Sequence, residues 1–269
     1  MKDNTKFKSN YVAVLLFAIS CFTFSTNALA EVMLKAVSYK DGETTLNGHL
    51  AWDTSHSGPR PGILVIDEWW GLTDWAKGTA KKLASAGYVA FAADMYGDGM
   101  TTDDPKTAGE WMKAVISDEK LWSRRSQLGL DILKADKKVD GSNLGVIGSS
   151  FGAATAIKMS YWGQDVKAAV SIATGMMAPP PEGTKSVKPK MLIFVGADDK
   201  STAPEKIEKF IAGSSGVDMD YQLVVYSNTR HSFTTPQADS RGIPNLAYSK
   251  RADARAWKAV TNLFDEAFN

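Results

Sequence analysis

The stretch that decides the fold is "NLGVIGSSFGAATAIKM", residues 143–159. A short apolar run breaks at two serines between Gly148 and Gly152, and a second apolar run with helical spacing follows. That order reads as buried strand, tight turn and helix. Three chemistries place glycines at such a turn. A dinucleotide fingerprint GxGxxG would need glycine where Ile147 stands, and a phosphate-cradling loop would need lysine where Ala153 stands. The third, the nucleophile elbow GxSxG, matches Gly148 to Gly152 with Ser150 at its centre and Ser149 inside the turn.

Outward from the elbow the same rhythm repeats. "GILVIDE" and "YVAFAAD" are short continuous apolar runs, and "DWAKGTAKKLASAG" between them has helical spacing and ends in glycine. Downstream come strand-like "VKAAVSIATG", "KPKMLIFVGAD" and "DYQLVVYS", helical "APEKIEKFIAG", and the terminal helix "KRADARAWKAVTNLFDEAF". Strands apolar on both faces alternating with amphipathic helices predict a mostly parallel, doubly wound α/β sheet. Before them, "VMLKAVSYKDG" and "TTLNGHLAWD" meet at Asp41-Gly42 and predict an N-terminal antiparallel hairpin. No linker or repeat interrupts residues 31–269, so one domain is expected, with the Pro-rich "MMAPPPEGTKSVKP" as a surface loop.

The first thirty residues differ. Lys2, Lys6 and Lys8 precede the apolar "YVAVLLFAISCFTF", and "ALA" ends at Ala30. This predicts a cleaved signal peptide, because 14 apolar residues fall short of the ~20 that span a bilayer. Lipidation at Cys21 is a weaker alternative, since Ala18 stands where such a site would carry leucine. Cleavage would move the formal net charge from +1 to −1 and remove the chain's single cysteine. A periplasmic or secreted protein is then expected, without disulfides, thiol chemistry, nucleic-acid affinity or stable membrane insertion. The reading calls for no cofactor and no metal, and it leaves the oligomeric state open.

A serine hydroxyl needs a base, and the base needs an orienting acid. Downstream of an elbow of this kind the acid comes first and the histidine second. Of the three histidines, His49 and His56 precede the elbow and read as surface residues, whereas His231 follows a strand in "NTRHSF". Asp198 and Asp199 both end the strand "MLIFVGADD", and residue order alone does not separate them. A second acidic pair, Asp67 and Glu68 in "VIDEWWGL", lies at a carboxyl end of the sheet, where ligands bind in open α/β folds. Trp69 and Trp70 come next, and two adjacent tryptophans are hard to bury together, so at least one is expected to line a cleft. Trp70 and Tyr96, the latter in "ADMYG", are the candidate pocket residues. A backbone N–H of this loop and that of Phe151 are the candidate oxyanion-hole donors.

Taken together, "VIDEWWGL", "LASAGYVAFAADMYG", "GSSFGA", "GADDKSTAPE" and "HSFTTPQADSRGIPNLAY" resemble the dienelactone hydrolase family of α/β hydrolases. The resemblance implies the α/β-hydrolase fold and a triad of Ser150, Asp199 and His231. It also implies Trp69 as the second oxyanion donor and Glu68 as the family's auxiliary glutamate. Two departures stand out. Ser150 occupies the position of the family's archetypal cysteine, and Thr234 and Thr235 stand where an arginine binds the substrate carboxylate. A carboxylic-ester or lactone hydrolase is therefore expected, with a muconolactone-like substrate disfavoured. A non-catalytic binding protein on the same fold, or an acyltransferase or peptidase using the same triad, are the alternatives.

Overall fold

The computed structural model describes residues 31–175 and 177–269. The expected signal peptide and Cys21 lie outside the described residues. Eight strands form one sheet in the order β1-β2-β4-β3-β5-β6-β7-β8. The hairpin β1 (Val32–Asp41) and β2 (Thr44–Asp53) pairs antiparallel, and β2 joins β4 (Val89–Ala93) in the same sense. All other pairings are parallel: β3 (Arg60–Ile66) with β4 and β5 (Val139–Ser149), then β6 (Ala168–Ile172), β7 (Ser186–Gly196) and β8 (Asp218–Tyr226). This is the α/β-hydrolase architecture with an antiparallel start.

Alternate side chains of each central strand feed opposite faces. Ile63 and Val65 of β3 pack with α1 (Asp74–Ser85) and α6 (Lys250–Phe268), through Leu83, Ala84, Val260 and Phe264. Leu64 and Ile66 pack on the other face with α3 (Glu119–Ala135) and α4 (Phe151–Tyr161), through Leu130, Leu133 and Ile157. Both faces are covered, which is why these strands read as unbroken apolar runs. The chain leaves β3 towards β4 on one side and returns through α2 (Pro105–Ile116) and α3 to β5 on the other. The sheet thus reverses its winding at β3/β5, and the carboxyl ends of those strands flank the crevice that open α/β sheets use for ligands.

Three sequence expectations change. Helix α2, capped by Asp104 and opened by Pro105, has no counterpart among the expected segments; it buries Ala108 and Val115 and packs Trp111, Met112 and Ile116 against the core. The Pro-rich segment is not wholly surface: Met177 joins the core, Pro180 is buried, and Tyr161 Oη donates to the Ala178 carbonyl at 2.9 Å. His49 is half-buried on β2, not a surface residue, and its Nδ1 has no partner among the described residues. Among the described residues no helix is long and apolar enough to cross a membrane.

Candidate active site

The elbow is built by close backbone packing. A Cβ at Gly148 would lie 2.1 Å from the Gly152 carbonyl carbon, and one at Gly152 would lie 2.0 Å from the Ile66 oxygen. Only hydrogen fits at either place. Between them Ser150 is held at φ 53°, ψ −107°, a conformation that L residues rarely adopt. The strain is held by two backbone hydrogen bonds: Ser150 N–H donates to Ile172 O at 2.9 Å, and Gly152 N–H donates to Asp67 O at 3.0 Å. From Leu144 to Ile157 every residue but Ser150 is buried. The turn lifts one hydroxyl out of an otherwise closed segment.

His231 reaches Ser150 from the loop after β8, its Nε2 2.8 Å from Ser150 Oγ. The loop is pinned at that residue, because His231 N–H donates to Asn245 O at 3.0 Å and Ala247 N–H donates to His231 O at 3.1 Å. On the far side of the ring, Nδ1 lies 2.7 Å from Asp199 Oδ2. Asp199 is buried and Asp198 is exposed, so only the second aspartate of the pair faces the histidine. Asp199 Oδ1 accepts from Ser201 N–H at 2.8 Å and Asn245 Nδ2 at 3.1 Å.

Burial alone would raise the Asp199 pKa; the His231 hydrogen bond and charge, with the donors Ser201 and Asn245, outweigh it and hold the carboxyl below the usual carboxylate range. Burial alone would likewise lower His231. The hydrogen bond and charge of Asp199, with a further contribution from the charge of Glu68, reverse it and raise the imidazole above its ordinary value. The result is an ionised acid beside a strengthened base.

The loop after β3 is organised by two buried carboxylates facing different ways. Asp67 Oδ1 accepts from Glu68 N–H at 2.7 Å, and Oδ2 accepts from both the N–H and the hydroxyl of Thr73, each at 2.6 Å. Thr73 also caps α1 by accepting from Trp75 N–H, so the turn is tied to the helix that follows it. Burial first of all, and then the charge of Glu68, push the Asp67 carboxyl up to about 7 against the Thr73 bonds. Glu68 Oε1 accepts from Ser149 Oγ at 2.9 Å and from Thr235 Oγ1 at 3.1 Å. Its hydrogen bond goes to the first serine of the elbow and not to Ser150. Ser149 is therefore more than turn structure, since it carries the glutamate.

The aromatic residues divide differently from expectation. Trp70 does not line a cleft: it is 1% exposed, packed with Ala108, Ala238 and Leu246, and the Arg241 guanidinium lies 3.9 Å above its ring. Trp69 is the half-buried member of the pair. Tyr96 is also buried. Its ring stacks on Phe151 with centroids 5.8 Å apart, and its hydroxyl donates to the Trp69 carbonyl at 3.2 Å. It holds the Trp69 carbonyl in place, and its burial corrects its assignment to an open pocket. The Phe151 N–H is at the first position of α4, where a helix offers no internal acceptor. Thr234 Oγ1 accepts from Trp75 Nε1 at 3.2 Å, so neither threonine after "HSF" brings a cation to the site.

Asn245, Thr73 and Thr235 are functional-looking residues that the sequence did not single out for these contacts. Asn245 lies within the quoted "GIPNLAY", but nothing in its neighbours signals a pairing with a carboxylate 46 positions earlier.

The chain is similar to known proteins over most of its length. The profile described as the dienelactone hydrolase family matches residues 46–268. A relative from Aquifex aeolicus that bears a carboxymethylenebutenolidase name is 23% identical over 210 residues, covering 76% of this chain and 87% of that protein. A solved structure of a dienelactone hydrolase-like promiscuous phosphotriesterase from metagenomic libraries is 37% identical. It superposes with a TM-score of 0.84, over 88% of this chain and 99% of that one. A ferulic acid esterase from Streptomyces cinnamoneus, 18% identical with a TM-score of 0.65 over 91% of each chain, shares the fold.

Proposed function

Because the chain belongs to the dienelactone hydrolase family, we propose that it is a serine hydrolase of carboxylic esters or lactones working through an acyl-enzyme on Ser150. The observation that carries this is the unbroken relay from Ser150 Oγ through His231 to Asp199, with contacts of 2.8 and 2.7 Å. His231 Nε2 takes the hydroxyl proton as Oγ bonds to the carbonyl carbon. It returns that proton to the leaving alkoxide oxygen as the ester C–O bond breaks, and Asp199 stabilises the imidazolium in between. Water, deprotonated by the same nitrogen, then releases the acid and restores the serine. The N–H groups of Phe151 and Trp69 are the proposed donors to the oxyanion, the latter on a peptide whose neighbouring carbonyl is held by Tyr96.

A binding protein has no use for a strained serine in line with a base and an acid, which favours the enzyme over the non-catalytic alternative. Amide hydrolysis and acyl transfer use the same relay and are separated by substrate. The test is labelling by a fluorophosphonate probe, followed by a panel of esters, lactones, amides and phosphotriesters. Ser150→Ala should abolish both labelling and ester turnover. Wild-type activity in that variant would refute the nucleophile, and an unlabelled wild type would favour a binder.

We also propose that residues 1–30 direct export, with cleavage after Ala30, on the strength of their lysines, apolar run and small-residue end. Intact mass of the exported protein checks this: an N-terminus at Glu31 without lipid agrees, and a lipidated Cys21 refutes it.

A further inference from the structure

A cleft of about 440 Å³ opens at the amino ends of the parallel strands, the opposite end of the sheet from Ser150. It lies where β3 begins at Arg60 and β4 begins at Val89, beside the turn that leads into β5. Trp52, half-buried, and Tyr88, buried, contribute its aromatic surface. Four basic side chains face it: Arg60, Lys137, Lys138 and His56. The single acid in its lining is Asp53, whose carboxylate already accepts from Ser55 N–H at 2.8 Å.

Two of these cations, Arg60 and Lys137, have no carboxylate partner among the described residues. Arg60 spends its Nε on the Gly87 carbonyl at 2.7 Å, and Lys137 is exposed. Lys138 reaches Asp136 at 3.4 Å, and its ammonium lies 4.5 Å from the centre of the Trp52 ring, at the aromatic wall itself. His56 Nε2 and the Arg60 guanidinium converge over Gly87, within 3.6 and 2.8 Å of where a Cβ there would sit. A chain of formal net charge +1 thus gathers three permanent cations and an imidazole around one concavity.

We propose that this cleft binds a small aromatic anion, its carboxylate or phosphate held by Arg60 and Lys137 and its ring lying against Trp52 and Tyr88. A guanidinium with free Nη groups presents paired donors that match two oxygens of either oxyanion. The aromatic part of the lining, Trp52 and Tyr88, suits a flat ring better than an aliphatic chain. The size agrees: an apolar cavity of roughly 150 Å³ accepts benzene, and about 440 Å³ leaves room for a ring and its charged group. The site is independent of the proposed chemistry at Ser150.

The experiment is calorimetric titration of the full chain with benzoate and, separately, phenyl phosphate, at low and at moderate salt. Saturable binding is expected, weaker at higher salt, with the tighter of the two ligands naming the headgroup. Arg60→Gln should weaken it about tenfold, the loss of one hydrogen bond to a charged group, and Lys137→Gln, a change at an exposed position, should weaken it as well. Chain blocked at Ser150 by a fluorophosphonate, and Ser150→Ala, should bind like the wild type. Absence of saturable binding to both anions overturns the proposal. So does undiminished binding by both cleft variants, or binding lost on blocking Ser150, which would put the anion at the other end of the sheet.

Discussion

Asp67 makes stability fall as pH rises, against the usual direction for a carboxylate. It is wholly buried, and burial followed by the charge of Glu68 pushes its carboxyl from 3.8 up to about 7. The folded state therefore holds a proton between about pH 4 and pH 7 that the unfolded chain has already released, and stability must fall as pH rises across that window. Three units of displacement correspond to about 4 kcal/mol. Other carboxylates, Asp199 and Asp41 among them, are held below their ordinary values and act in the opposite sense. The wild-type profile alone therefore mixes both, and the comparison to make is with Asp67→Asn, which cannot titrate. The asparagine oxygen can still accept both Thr73 bonds, but its amide meets the Glu68 N–H donor to donor, a cost that does not depend on pH. Urea unfolding of both proteins from pH 4 to pH 8 gives the difference at each pH. The wild type should lose up to about 4 kcal/mol relative to the variant across that range. A constant difference would refute the placement of this carboxylate as a buried acid titrating near neutrality.

Three further outcomes follow from the same geometry. Removing the charge of Glu68 by Glu68→Gln withdraws one of the influences that raise His231, so the acid limb of the kcat/KM profile should move to lower pH than in the wild type; a limb that stays put or rises contradicts it. Thr235→Val deletes a donor to a buried glutamate and should cost about 1.5–3 kcal/mol in urea unfolding, with a change below about 0.5 kcal/mol telling against the contact. Gly152→Ala should give insoluble or unfolded protein because its Cβ falls 2.0 Å from a backbone oxygen, whereas Gly78→Ala in α1, with nothing within 4 Å, should stabilise by about 0.5–1 kcal/mol in the same assay.

Why some of this was legible and some not is a matter of which forces leave local marks. The parallel strands were visible because residues such as those of β4, buried throughout, must be apolar on both faces. The elbow was visible because two glycines are demanded by backbone contacts within a few residues of chain, and His231 because only three histidines exist to choose among. Helix α2 was missed although Ala108, Trp111, Met112, Val115 and Ile116 recur at helical spacing, because its polar start at Asp104-Pro105 reads equally well as a turn. The exchange between Trp69 and Trp70 was illegible for a different reason. Adjacent residues in a loop differ in burial only through what packs on them, and Arg241, Ala238 and Leu246, which sit on Trp70, arrive from more than 160 positions away. Likewise, nothing local to Ser149 shows that its partner is Glu68, 81 residues earlier.

That last contact bears on the proposed nucleophile, Ser150, which stands where the family resemblance implies cysteine. A thiol ionises readily, whereas a serine hydroxyl depends on the base beside it, so the exchange puts a heavier demand on His231. Glu68 is fixed by Ser149 and Thr235, both donating to one oxygen, and so does not hydrogen-bond Ser150. Its charge nevertheless adds to that of Asp199 in raising the imidazole. Asp67, immediately before it, yields instead: with its carboxyl pushed up to about 7, much of its population is protonated near neutrality. Two adjacent buried carboxylates thus divide their roles, one clamping the turn through Thr73 and the other supporting the base. On this reading Thr235, one of the two threonines at the place where the resemblance implies an arginine, is not merely a missing cation. A cation at position 235 would lie against Glu68 and cancel the negative charge that strengthens His231, and a hydroxyl leaves that charge in place.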